Sequence, residues 1–299
     1  MRTDAKRALL RAMVLTGLSV LAAGRVLADP PPDRPRFTLK VSGGAGYAGL
    51  GDLARGLEGQ RLYLQDEYGQ MEGSLEPPTL GMLVRGELIY ALNSRLAVGL
   101  GLGYLRHAKA GEVSYGFGDI GIRERFDPRL TVVPVELNLR LSLPLSRRAV
   151  LGFFAGPGFY LALLDYEYRM DIKLGAFSGS DIYTFKSRRG AAGVQGGVGI
   201  ELALGPRTAV VIEAVGRYAR PADFQGDWTE IGEGDFWNYR DAGSGDAMWY
   251  YAWSLGGKTY GQIAFQAERP FGILVADVRP ARIDLTGFGL LLGLKFGLF

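Results

Sequence analysis

From residue 36 onward the chain alternates apolar and polar side chains with a period of two, in segment after segment. From Leu80 to Leu92, one parity reads Leu80, Met82, Val84, Gly86, Leu88, Tyr90 and Leu92; the other carries Arg85 and Glu87. From Val133 to Leu145 the odd positions are valine and leucine throughout, and the even ones include Glu136, Asn138 and Arg140. A helix would spread these charges around its circumference, whereas a strand gathers them on one face. Six more segments behave alike, at about 37–50, 96–113, 149–168, 193–204, 208–220 and 283–298. Each meets the roughly 9–11 residues that a tilted strand needs to cross a bilayer, and no later apolar run reaches the roughly 18 of a membrane helix.

The links between segments separate a membrane barrel from a soluble sandwich. Three are tight turns, Asn93-Ser94-Arg95, Ser146-Arg147-Arg148 and Gly205-Pro206-Arg207. The other four, roughly 51–78, 112–129, 169–190 and 221–281, are long. Strict alternation of short and long links is the pattern of periplasmic turns and external loops. The expected fold is therefore all-β, an eight-stranded antiparallel up-and-down transmembrane β-barrel with short periplasmic turns and long extracellular loops. Ten strands stay open as an alternative. On the apolar parity, Tyr47, Tyr104, Phe159 and Tyr218 are expected to form an aromatic belt at the outer interface. The other parity collects Lys40, Arg85, Glu87, Glu136, Arg140, Glu201, Glu213, Arg217 and Lys295. These nine are nearly balanced in sign and are expected to pair in the lumen, because charges shielded from water must find partners. Most strand glycines share their parity and leave them room.

The N-terminus has the three-part form of a secretory signal peptide over 1–28. Arg2, Lys6, Arg7 and Arg11 precede an uncharged stretch from Ala12 to Gly24, and Val26-Leu27-Ala28 follows as a cleavage pattern. A proline-rich linker (29–35) leads into the barrel domain (36–299). The basic balance of the whole chain, 34 Lys and Arg against 31 Asp and Glu, belongs to this leader. Removing its five basic residues and Asp4 leaves a net charge of −1, so no nucleic-acid partner is expected. The 45 glycines show no collagen period, and zero cysteines exclude disulfide scaffolds, zinc ribbons and thiol chemistry.

The signal peptide, the eight alternating segments, LTVVPVELNLRLSLPL and the closing IDLTGFGLLLGLKFGLF together resemble the small outer-membrane β-barrel superfamily of Gram-negative bacteria, the OmpA-, OmpX- and OmpW-like barrels. The resemblance is architectural and covers about 36–299. It implies an integral, porin-like cell-envelope protein, monomeric, surrounded by outer-membrane lipid and lipopolysaccharide and inserted by the barrel-assembly machinery. That family ends on an aromatic in the lipid-facing parity; Phe299 is aromatic but one residue out of step with Phe288 through Leu298.

Chemistry is sparse. Gly44-Ala-Gly46-Tyr-Ala-Gly49 has dinucleotide spacing, but it falls within or at the end of a strand where a helix start is needed. The single histidine, His107, lies near the top of its strand between Arg106 and Lys109, without a spaced serine. No catalytic, cofactor or metal residues are assigned, and the chain is expected not to be an enzyme. A structural or surface-interaction role is expected, with the external loops as the recognition part. OmpW-like binding or passage of a small apolar molecule and a lipid-modifying hydrolase are the alternatives. All four tryptophans, Trp228, Trp237, Trp249 and Trp253, fall in the long fourth link. Ala247–Ser254 and Tyr260–Ala267 are expected to form a hairpin there, which either caps the barrel or presents a surface to an extracellular ligand.

Overall fold

The computed structural model describes residues 35–69 and 71–298; the expected signal peptide 1–28, linker residues 29–34 and Phe299 lie outside the described residues. In chain order the elements are β1 (Phe37–Ala48), helix α1 (Asp52–Tyr68), β2 (Glu72–Ser74), β3 (Leu80–Ala91) and β4 (Leu96–Ala108). There follow β5 (Gly111–Phe117), β6 (Ile120–Pro144), β7 (Ala149–Leu174), β8 (Phe177–Ala203) and β9 (Thr208–Ala219). The chain ends with β10 (Gln225–Gly234), β11 (Tyr239–Leu255), β12 (Lys258–Gln266), β13 (Val275–Pro280) and β14 (Gly287–Gly297).

Strands β1, β3, β4, β6, β7, β8, β9 and β14 pair antiparallel in that order. β14 returns to β1, with Val41 opposite Leu294 and Tyr47 opposite Phe288, so the ring closes at eight and the ten-strand alternative falls away. Its short turns are held by their own residues. Asn93 Oδ1 accepts from the Arg95 and Leu96 amides at 2.9 and 2.8 Å, and Ser146 Oγ accepts from Arg148 and Ala149.

Outward chemistry divides the ring into two storeys. On β7 the outward positions run Phe153, Ala155, Pro157, Phe159, Leu161 and Leu163, then change to Asp165, Glu167, Arg169 and Asp171. The change falls on one cross-strand row, Arg129–Asp165–Lys186, and below it leucine, valine and isoleucine face outward on β6 and β8. The lower storey is the lipid-facing band and the upper one stands in water.

Three of the long links expected from the sequence are sheet rather than loop. Links 112–129 and 169–190 are themselves strands, the far halves of hairpins that turn only at Gly118-Asp119 and Gly175-Ala176. Gly118 (φ 61°) and Gly175 (φ 58°) supply the left-handed conformation that such two-residue turns require. Link 221–281 is also sheet. β10 pairs with the upper half of β8, β11 with β10, and β12 and β13 with the C-terminal half of β11, including the expected hairpin between 247–255 and 258–266.

The remaining link, 51–78, contains α1, which the strand-based reading did not foresee. Leu53, Leu57 and Leu64 form its buried stripe. It seats between the two ends of the upper sheet. Tyr68 stacks on Tyr115 of β5 at 4.1 Å between centroids, while Tyr63 lies 4.7 Å from Trp253 and Asp66 bonds Lys258 and Tyr260 at 2.7 Å. The Asp52 carboxylate pairs with the Arg279 guanidinium and accepts from the Arg282 amide at 2.9 Å, anchoring the first turn. Leu50, Leu130, Phe185, Phe224, Met248 and Ile283 fill the space beneath.

At Gly59 the backbone of α1 comes close to the sheet: an added Cβ would stand 1.9 Å from the Gly261 carbonyl oxygen. Gly59→Leu should therefore lift the helix, at a cost of about 1–3 kcal/mol. Limited trypsin digestion should then cut at Arg55 and Arg61 while the lower barrel stays protected; an unchanged digestion pattern would refute this seating.

Candidate functional site

Register places the inward charges of the lower storey at one level. Lys40 lies opposite Glu87 across β1 and β3, and Glu136 lies opposite Gly101 across β6 and β4. Lys40 Nζ is 2.7 Å from both Glu87 and Glu213, and Arg140 bridges the same two carboxylates. Arg85 pairs with Glu136 at 3.2 Å and reaches Glu87 at 3.8 Å. Asn138 donates to Glu87 at 3.1 Å, and Gln195 donates to Asn138 at 2.8 Å. The ring of Phe154 sits among the three cations, 4.9–5.5 Å from Lys40, Arg85 and Arg140. Room for the knot comes from β4: a Cβ at Gly99 would stand 2.3 Å from Glu87 Oε1.

Not every expected member joins. Lys295 and Glu201 form a separate 2.7 Å pair nearer the short turns. Arg217 is buried without a carboxylate within ion-pair distance among the described residues, and its Nη2 atom has no hydrogen-bond partner. It lines a void of about 10 Å³ with Arg85, Glu136 and Gln195, enough for one water at most. His107 is buried and turned inward against Gly81 and is not an interfacial polar residue. Gly44 and Gly46 lie in the ladder between β14 and β3, and a Cβ at Gly44 would stand 1.9 Å from the Leu290 carbonyl oxygen. Tyr47, Tyr104, Phe159 and Tyr218 all lie on the outward face, with Tyr47 stacked on Phe288 at 5.6 Å.

The large cavity lies in the upper storey, a trough of about 1160 Å³ over the inward face of β5, β6, β7, β8 and β10. Three cross-strand rows describe it. The top row, Tyr115–Ile122–Ile172–Gly179–Gly234, is its floor. The next holds Val113, Glu124, Met170, Asp181 and Gly232, and the third holds Phe126, Tyr168, Tyr183 and Glu230. Tyr239 donates to either Asp181 at 3.1 Å or Glu230 at 3.0 Å. Glu124 is 4% exposed; its Oε1 accepts from the Tyr115 hydroxyl, and its Oε2 has no hydrogen-bond partner. Burial lifts the Glu124 carboxyl above its ordinary value of 4.5, against the Tyr115 hydrogen bond and the neighbouring Tyr168 and Gln60, which oppose the rise.

The four tryptophans, expected as a loop surface, are half-buried, three of them within this sheet and Trp237 in the connection between β10 and β11. Trp228 stacks with Tyr183 at 6.1 Å and Trp253 packs on Tyr63. Trp249 Nε1 donates to the Gln266 carbonyl, and Trp237 Nε1 donates to that of Ser180 at 3.1 Å, beside the trough. Among the described residues no three His, Asp or Glu side chains converge as metal ligands.

Sheet closure, outward apolar band and filled interior define a transmembrane β-barrel of the outer-membrane type. No known protein family matches the sequence, and no curated protein matches it. The fold is similar to that of the outer membrane protease OmpT from Escherichia coli, at 10% identity and a TM-score of 0.33, over 91% of this chain and 99% of that one. It is also similar to that of a Pseudomonas aeruginosa FadL homologue, at 8% identity and a TM-score of 0.18, over 89% and 91% of the two chains. The expectation that this chain is not an enzyme is withdrawn in view of the likeness to a protease. It is a likeness of fold, and no catalytic residue is carried over from it.

Two outcomes follow. Glu87→Leu strands Lys40 and Arg140 in the lumen and should cost roughly 3–5 kcal/mol in urea unfolding, whereas Glu201→Gln, in a wetter pair, should cost under about 1 kcal/mol. Equal midpoints would remove the distinction. Because the folded pKa of Glu124 is raised, its contribution to stability is present below pH 4.5 and is lost as pH rises through the folded value. Hydrogen exchange of β5 and β6 should accelerate over that window in the native protein, and less so in Glu124→Gln; identical profiles would disprove it.

Proposed function

We propose that this protein is a small outer-membrane barrel, of the OmpA-, OmpX- and OmpW-like kind, in which the lower storey is a closed anchor and the upper storey a rigid recognition surface. The observation that carries this reading is the contrast in free volume. The void beside Arg85, Glu136 and Arg217 in the lumen holds about 10 Å³, and the trough outside the lipid band opens to about 1160 Å³. The knot of three cations and three carboxylates around Phe154 leaves no slot for an apolar passenger. The protein is exported with cleavage after Ala28, inserted by the barrel-assembly machinery and held as a monomer among lipopolysaccharide. The upper sheet, tied together by α1, presents the trough to the outside and meets an extracellular ligand there.

Planar-bilayer recording on the purified protein should show no stepwise conductance; sustained openings would refute the closed anchor. The chain has no native cysteine, so Ser114→Cys and Ser178→Cys, both lining the trough, can be probed singly. A membrane-impermeant maleimide should label both in intact cells. Labelling only after cell disruption would overturn the outward orientation.

A further inference from the structure

We propose that the trough of the upper storey is an oligosaccharide-binding site; this rests on the reading of that storey as an external recognition surface. A pyranose ring presents flat C–H faces and a rim of hydroxyls, each able to donate and to accept. A site for it combines an apolar or aromatic floor with polar groups that donate and accept. The trough has this composition. Ile122 and Ile172 form the centre of its floor, and Gly179 and Gly234 keep the β8–β10 end low.

Aromatic rings stand at both ends. At one, the rings of Phe236 and Trp237 lie against Gly179, where an added Cβ would meet them at 3.1 and 3.2 Å. The bond from Trp237 Nε1 to the Ser180 carbonyl sets that ring in advance of any ligand. At the other end Tyr115 is fixed by its stack on Tyr68 and by its hydroxyl, which donates to Glu124. One and two rows below the floor, on the same inward face, Asp181 and Glu230 accept and the Tyr239 hydroxyl donates.

Other ligand classes fit less well. A polyanion would need a net positive site, and the charged groups on the inward face here, Glu124, Asp181 and Glu230, are acids. An acyl chain would need walls without charge. A peptide adding as a strand would need a free ladder edge, but β6, β7 and β8 are paired on both sides at this height. The volume of about 1160 Å³ exceeds the roughly 300–1,000 Å³ of small-molecule pockets, so the ligand spans several sugar units.

The test uses the full mature protein in detergent, with tryptophan fluorescence and calorimetry. Maltohexaose, cellohexaose and N-acetylchitohexaose form one arm. Delipidated polysaccharide from the host's own lipopolysaccharide forms a second arm and separates a foreign from a resident glycan. Binding of at least one probe at submillimolar concentration is expected. Trp237→Ala and Ile172→Arg should each weaken it by about tenfold or more, about 1.4 kcal/mol, while the outward Arg169→Ala should not. Heat-modifiable migration of each variant on gels confirms a folded barrel. A third arm uses short peptides. If peptides bind and Ile172→Arg abolishes that binding while no saccharide binds, the recognition surface stands and the glycan assignment falls. If no arm gives binding at millimolar concentration, both fall. Saccharide binding unaffected by both substitutions would place the site elsewhere and overturn the inference.

Discussion

Every other feature of this protein depends on the antiparallel seam between β1 and β14. A backbone in lipid has no water to satisfy its N–H and C=O groups, and a sheet avoids that penalty only by closing on itself. The seam runs from Thr38 opposite Gly297 to Ala48 opposite Gly287, so the first and last strands of the domain complete the ladder. Glycine makes this contact close: a Cβ at Gly287 would stand 1.8 Å from the Tyr47 carbonyl oxygen. Once the ring is closed at eight, its interior is only wide enough for side chains.

That narrowness decides what the inward charges do. In a wider barrel Lys40, Arg85, Arg140, Glu87, Glu136 and Glu213 would line water. Here each cation lies within 3.2 Å of a carboxylate, and the side chains are nearly inaccessible to solvent. Desolvating such groups is costly, and the fold offsets it with a neutral set, amide donors from Asn138 and Gln195, and the face of Phe154. The inward glycines of β4 set aside the volume.

The upper storey follows from strand length. β6, β7 and β8 have 25, 26 and 27 residues, about twice what the lipid band requires, so three ring strands continue into water as one sheet. In water the sheet no longer has to close through hydrogen bonds. It is extended by β10, β11 and β12 on one side and by β5 and β2 on the other, and α1 bridges the ends through Tyr63, Tyr68 and Asp66. Curvature of this sheet leaves the trough above a packed aromatic base.

The period-two pattern determined the strands of the lower storey, their faces and the eight-membered ring, because lipid outside and a narrow lumen inside impose opposite chemistry on alternate residues. It also identified most of the charge knot, since parity assigns a face. It did not assign partners: Lys295 with Glu201, and Arg217 apart from the rest, follow from register and height, which parity does not encode. The far halves of β6, β7 and β8 were read as loops because both of their faces turn polar or mixed once the lipid ends. Helix α1 was hidden because Leu53, Leu57 and Leu64 are few and the helix is seated through glycines, Gly56 and Gly59, whose value lies in what they touch. The trough was beyond the sequence altogether. Its floor draws single residues from five strands, and only the registers between those strands bring Tyr115, Ile122, Ile172, Gly179 and Gly234 into one row.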